Sequence, residues 1–278
     1  MKANMLTFTK QDSPIHRLTG ATKLIIFVVW SVAAMITYDT RCLAVMLVFS
    51  LFPFILSKVK FRDYAFVLSL ILLFFLLNQL AIFIFSPLEG VRIYGSRHDI
   101  VHLAGRYTLT WEQLFYQFNI ALKYAVVLPM ALLFLLTTDP SEFAASLNRL
   151  GVNYKIAYSV SLALRYIPDV QRDYENISFS AQARGIDISR KEKLSRRVKN
   201  IISILMPLIL TSIERIDKIS TAMELRGFGR KTKRTWYKTR PFSSQDYIAL
   251  GLIALIAIAS TVITFHDGSR FYNIFEPN

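Results

Sequence analysis

Two short phrases carry the chemistry of this sequence. Ala183-Arg184-Gly185 and Leu225-Arg226-Gly227 each close a long amphipathic stretch, and their arginines stand 42 residues apart. The residues before them correspond as well. Ser178-Phe179-Ser180-Ala181-Gln182 matches Ser220-Thr221-Ala222-Met223-Glu224 in its small residues followed by a long polar side chain, and acids stand at equal offsets, at Glu175 and Asp217. Glycine just past a last helical turn accepts the left-handed conformation that ends a helix. Arginine there sits well at the negative end of the helix dipole. Its planar fork can extend beyond the helix and pair bidentately with a carboxylate on another protein. Either phrase alone reads as a helix cap. Two copies on consecutive helices read as a paired docking device.

The elements that position these arginines belong to a membrane protein. Of 278 residues, 53% are hydrophobic and 19% charged, with 21 phenylalanines, more apolar than an ordinary soluble domain. The net charge is +14, and 20 of the 33 Lys and Arg lie between residues 140 and 246. Such asymmetry predicts a cytoplasmic location for that block. The fold class expected is an all-α integral membrane protein of about five transmembrane helices, with a coupling region of long amphipathic helices.

Leu24–Tyr38 and Cys42–Leu56 read as a helical hairpin around Asp39-Thr40-Arg41, followed by a basic loop at Lys58-Val59-Lys60-Phe61-Arg62. Tyr64–Phe85 has no charge and is long enough to span. Glu89–Thr110 reads as an external loop and Trp111–Thr138 as a fourth helix, in which Lys123 faces other helices or snorkels. Asp139-Pro140 opens a short helix that ends near Gly151. Two long helices follow, over about 154–184 and 194–226. The second carries Ile201, Leu205, Leu208, Ser212, Ile216, Ile219 and Met223 at helical spacing, and Pro168 and Pro207 are expected to kink the pair. Basic residues through 230–240 lead to a charge-free run at Tyr247–Phe265 and a short polar tail. The organisation is thus 1–138, a membrane region with its external loop near 87–110; 139–246, the coupling helices; and 247–278, a last span and tail. Alternation places the N-terminus and the coupling region inside and the C-terminus outside, with no cleaved signal peptide expected.

Other chemistries find little support. Cys42 is the only cysteine, and His16, His98, His102 and His266 lack ligand spacing with carboxylates. No metal site is expected, and no cofactor bound by this chain. Asp139, Asp169 and Asp173 read as caps or solvated residues, not as catalytic groups. The basic block has no nucleic-acid motif, and no G-x-x-x-x-G-K-[ST] phosphate loop occurs.

The region 154–229 resembles the coupling region of the transmembrane T component of energy-coupling factor transporters, the family that includes the cobalt transporter protein CbiQ. The resemblance rests on Leu164-Arg165-Tyr166-Ile167-Pro168, Ala181-Gln182-Ala183-Arg184-Gly185, Pro207-Leu208 and Ala222-Met223-Glu224-Leu225-Arg226-Gly227-Phe228-Gly229. His16-Arg17-Leu18 and Thr22-Lys23-Leu24 are similar to the family at the N-terminus, although Gly20-Ala21 replaces a more usual Pro-Arg. Leu225 likewise stands where the family often has alanine. The resemblance implies a non-catalytic scaffold in a prokaryotic cell membrane. Its partners would be two ATP-binding cassette subunits, alike or different, which use the ATP, and a separate membrane subunit that captures a vitamin or metal ion. It assigns ATPase docking to Ala183, Arg184, Gly185, Leu225, Arg226 and Gly227, with supporting contacts from Gln182, Met223, Glu224 and Phe228. The alternative is a self-contained permease, with Asn78, Gln79 and Lys123 along its path.

Overall fold

A charge-free run can satisfy its backbone in hydrocarbon only by closing its hydrogen bonds on itself, which an α-helix does. The computed structural model describes residues 13–57, 59, 61–104, 107–186, 193–231, 235–236, 240–266 and 269–275. The protein is an all-α membrane protein, as its sequence predicts. Its elements are α1 (Pro14–Arg17), α2 (Gly20–Ile36), α3 (Thr40–Leu56), α4 (Phe61–Phe85), α5 (Glu89–Tyr94), β1 (Asp99–Ala104), β2 (Tyr107–Thr110), α6 (Trp111–Thr137), α7 (Pro140–Arg149), α8 (Tyr154–Ala183), α9 (Leu194–Leu225) and α10 (Ser244–His266). Lys58 and Lys60 of the basic loop, and Arg190, Lys191, Lys233, Arg234 and Lys238 of the basic block at 140–246, lie outside the described residues.

The chain divides into two compact units, Met1–Asp139 with Arg240–Asn278, and Pro140–Thr239. In the first, Tyr64–Phe85, Trp111–Thr137 and Ser244–His266 are long and apolar enough to cross a membrane, while α2 and α3 are shorter apolar helices. Trp30, Ala33 and Ala34 of α2 meet Leu43 and Met46 of α3, Val126 and Met130 of α6, and Ile253, Ile256 and Ala257 of α10 in one buried cluster. Small residues let these backbones approach, and short polar side chains bond across them. The Thr37 and Thr264 hydroxyls lie 2.5 Å apart, and the Ser260 hydroxyl donates to the Met46 sulfur at 3.6 Å.

Two buried lysines order α2 against α6. Lys23 Nζ donates to the Thr137 carbonyl at 2.8 Å, and Lys123 Nζ donates to the Met35 carbonyl at 2.9 Å. They are 3% and 5% exposed. Each helix therefore sends a cation to the last carbonyls of its antiparallel neighbour, where orphan acceptors and the negative dipole end gather. Lys123 also lies 3.1 Å above the Tyr38 ring, a cation–π contact. Of the two readings of Lys123, the structure bears out the one that faces it toward other helices, here as an interhelical cap. Gln79 and Gln117 make a second exchange, each amide donating to the other's backbone carbonyl at 3.0 and 3.2 Å, which holds the lipid-type helix α4 to α6.

The loop between α4 and α6 is more ordered than its mixed composition suggests. It forms α5 and an antiparallel β1–β2 hairpin. The polar tail also folds back. Tyr38 N donates to the Arg270 carbonyl at 3.0 Å, Asn273 donates to the Tyr94 carbonyl at 3.1 Å, and Phe275 packs on Tyr94, Phe115 and His98.

The second unit holds α7, α8 and α9. Asn153 caps α8, its side chain accepting from Lys155 N at 2.9 Å. On α9 the buried positions are Ile204 and Leu208. Leu208 belongs to the expected apolar stripe, but Leu205 and Ile216 of that stripe are exposed, because α8 is its chief packing neighbour within the unit.

Candidate functional site

The ends of α8 and α9 are built alike. Arg184 and Arg226 follow the last helical residues as caps, with φ/ψ of −88°/9° and −83°/8°. Gly185 and Gly227 come next at φ 83° and 70°. Gly185 N donates to the Gln182 carbonyl at 2.9 Å and Ile186 N to that of Ala181 at 3.0 Å. Gly227 N donates to the Glu224 carbonyl at 2.8 Å and Phe228 N to that of Met223 at 2.9 Å. Both ends are Schellman motifs, which need a residue tolerant of positive φ at the glycine. A β-branched residue there costs about 1–2 kcal/mol. Gly227→Val is therefore expected to speed amide exchange across 224–228 about tenfold, and Gly227→Asn much less. Hydrogen–deuterium exchange read by mass spectrometry checks this.

The caps leave both guanidiniums outside the helices. Arg184 and Arg226 are exposed, and among the described residues neither pairs with a carboxylate of its own chain. Gln182, Ala183, Glu224 and Leu225 are exposed beside them, Leu225 at 85%.

Met223 and Phe228 lie differently. Met223 lines a cleft of about 420 Å³ between α8 and α9, with Leu162, Tyr166, Ser212, Arg215 and Ile219. Phe228 is half-buried, its ring centroid 5.7 Å from that of Tyr154 and 4.9 Å from that of Tyr158. Trp236 packs on Tyr158 and donates to Asn148 at 3.0 Å. The residue that completes the second cap thus also fastens it to the start of α8. Sequence reasoning missed this clamp, although an aromatic residue directly after Arg226-Gly227 and two tyrosines at the head of α8 were its visible parts.

Phe228 against Tyr154 and Tyr158, together with Arg215 against Asp173, makes α8 and α9 antiparallel. The Arg215–Asp173 bond spans 2.5 Å, with side chains 36% and 31% exposed. Asp173 is accordingly no free solvated residue, as its sequence context suggests, but a partner of α9. Antiparallel packing puts Arg226 beside the head of α8 and Arg184 at its far end. With Asp173 level with Arg215 and about 1.5 Å per helical residue, the two arginines are about 33 Å apart along the pair. Two exposed cationic forks at that distance suit two separate acidic grooves better than one.

Residues 11–237 match the family described as cobalt transport protein, CbiQ. The chain is 29% identical over 269 residues to the energy-coupling factor transporter transmembrane protein EcfT of Bacillus selenitireducens, covering 92% of this chain and 95% of that protein. It is 28% identical to the protein of that name from Streptococcus thermophilus, covering 89% and 92%. With the Staphylococcus aureus protein it shares 26% identity, covering 91% and 94%.

Proposed function

Since the chain belongs to the CbiQ family and is the transmembrane component of an energy-coupling factor transporter, we propose that its second unit is the coupling device of that transporter. Arg184 and Arg226, with Ala183, Gly185, Leu225 and Gly227 around them, each enter a groove on one ATP-binding cassette subunit. Gln182 and Glu224 flank those contacts. Phe228 acts from behind by holding the second tip, and Met223 from the cleft wall. The chain itself binds no nucleotide and catalyses nothing. ATP is used by the partners, and a separate membrane subunit captures the vitamin or metal ion. The N-terminus and the coupling unit lie in the cytoplasm and the C-terminus outside, in keeping with the basic block at 140–246.

The observation that carries this reading is the matched pair of exposed arginines on identical helix ends, about 33 Å apart. Gln79 and Lys123, candidate path residues of a permease, instead satisfy backbone carbonyls of the chain's own helices. A photo-crosslinking residue at position 183 or 225 tests the proposal in the assembled transporter. The expected adducts carry the mass of an ATP-binding cassette subunit at both positions. Adducts confined to lipid or to the chain itself, or substrate uptake by the purified chain alone, would refute it.

A further inference from the structure

We propose that Asp173 and Arg215 are positioning residues whose ion pair pins the point where α8 and α9 cross, so that movement at one arginine tip is passed to the other. The inference rests on the docking reading above. Three observations support it. Asp173 stands eleven residues before Arg184, and Arg215 eleven before Arg226. The bond therefore joins equivalent positions of the two matched helices. In an antiparallel pair, a contact between equivalent positions marks the local twofold axis, and its distance to each tip is the same, about 16 Å along the helix.

The surrounding interface does not hold the crossing point by packing alone. Within α8 only Tyr154, Ala157 and Ser178 are buried, and within α9 only Ile204 and Leu208, among the described residues. Arg215 itself lines the 420 Å³ cleft between the helices. The core density that makes helix pairs rigid is thus missing beside the pair.

The bond is suited to rotation. It joins one guanidinium nitrogen to one carboxylate oxygen, so it fixes a distance without imposing the plane that a bidentate fork would. Pro168 and Pro207 interrupt the backbone ladders of both helices upstream of it, where a proline removes one hydrogen bond and eases bending. Helices softened there and pinned at their equivalent points move about the pin.

The test uses the reconstituted transporter with Asp173→Asn, Arg215→Gln and the reversed pair Asp173→Arg with Arg215→Asp. Both single variants are expected to keep their ATPase subunits on purification, while substrate taken up per ATP hydrolysed falls at least about fivefold. The reversed pair is expected to return to within about twofold of the original, since the attraction depends on opposite charge and not on its direction. Spin labels at positions 183 and 225, with Cys42 replaced by serine, should show a broadened distance in the single variants and a narrow one in the reversed pair. Unchanged uptake per ATP with an unchanged distance would overturn the proposal. So would loss of the ATPases from the single variants, or a reversed pair no better than either. If charge reversal at Arg184 and Arg226 leaves assembly intact, the docking reading fails, and the label distances still judge the ion pair by themselves.

Discussion

Lys123→Glu is expected to leave almost no folded protein in the membrane. The side chain is nearly buried between the Met35 carbonyl and the face of the Tyr38 ring. Carbonyl oxygen, helix C-terminus and ring face are all electronegative, so a carboxylate would meet three repulsive partners and lose its water. Leaving a buried charge without a partner costs about 3–5 kcal/mol, and repulsion adds to that against a total stability of about 5–15 kcal/mol. Lys123→Met separates the effects. It fills similar volume, removes the cation, and leaves a carbonyl short of a donor, at about 1–3 kcal/mol. Size-exclusion profiles and thermal midpoints in detergent read both. A monodisperse Lys123→Glu protein with the original midpoint would show that the cap contributes little.

Reversing both arginines at once, Arg184→Glu with Arg226→Glu, is expected to abolish ATPase co-purification and transport without touching the fold. A hydrogen bond to a charged group contributes about 1.5–3 kcal/mol, and glutamate against an acidic groove turns attraction into repulsion. Each reversal should therefore weaken its own contact at least a hundredfold, at about 1.4 kcal/mol per factor of ten. Two linked contacts reinforce one another through effective concentration. Single variants are expected to hold some ATPase at low salt and the double variant none. Because both side chains are exposed, the thermal midpoint of the purified chain should stay in place. Full recovery of ATPase with the double variant would remove the docking assignment.

Local chemistry explains what the sequence made legible. Tyr64–Phe85 lacks charge, so the span and its end at Phe85 could be read directly, whereas the helix begins earlier, at Phe61, inside the stretch read as a basic loop. The ends of α8 and α9 were readable because a left-handed glycine cap is decided within a few residues. Whether Arg184 and Arg226 are exposed, and how far apart, depends on the antiparallel pairing of the helices, which no local pattern states. Long-range contacts were illegible for the same reason. The tail reads as short and polar but carries Phe271, Tyr272, Ile274 and Phe275, and its order comes from Tyr38 and Tyr94, each more than 170 residues away. Lys23 and Lys123 were visible as cations near apolar runs, but the carbonyl each meets lies on another helix.

The exchange of lysines between α2 and α6 has a kinematic consequence. Sliding one helix along the other would pull both ammonium groups from their carbonyls in the same stroke, and both would be stranded in a medium that does not hydrate them. The cost is met at both ends of the shared length, so neither end can slip first. A piston stroke is closed to this pair, whereas a common tilt breaks neither bond. Whatever motion the membrane unit undergoes, α2 and α6 travel through it as one beam bolted at two points.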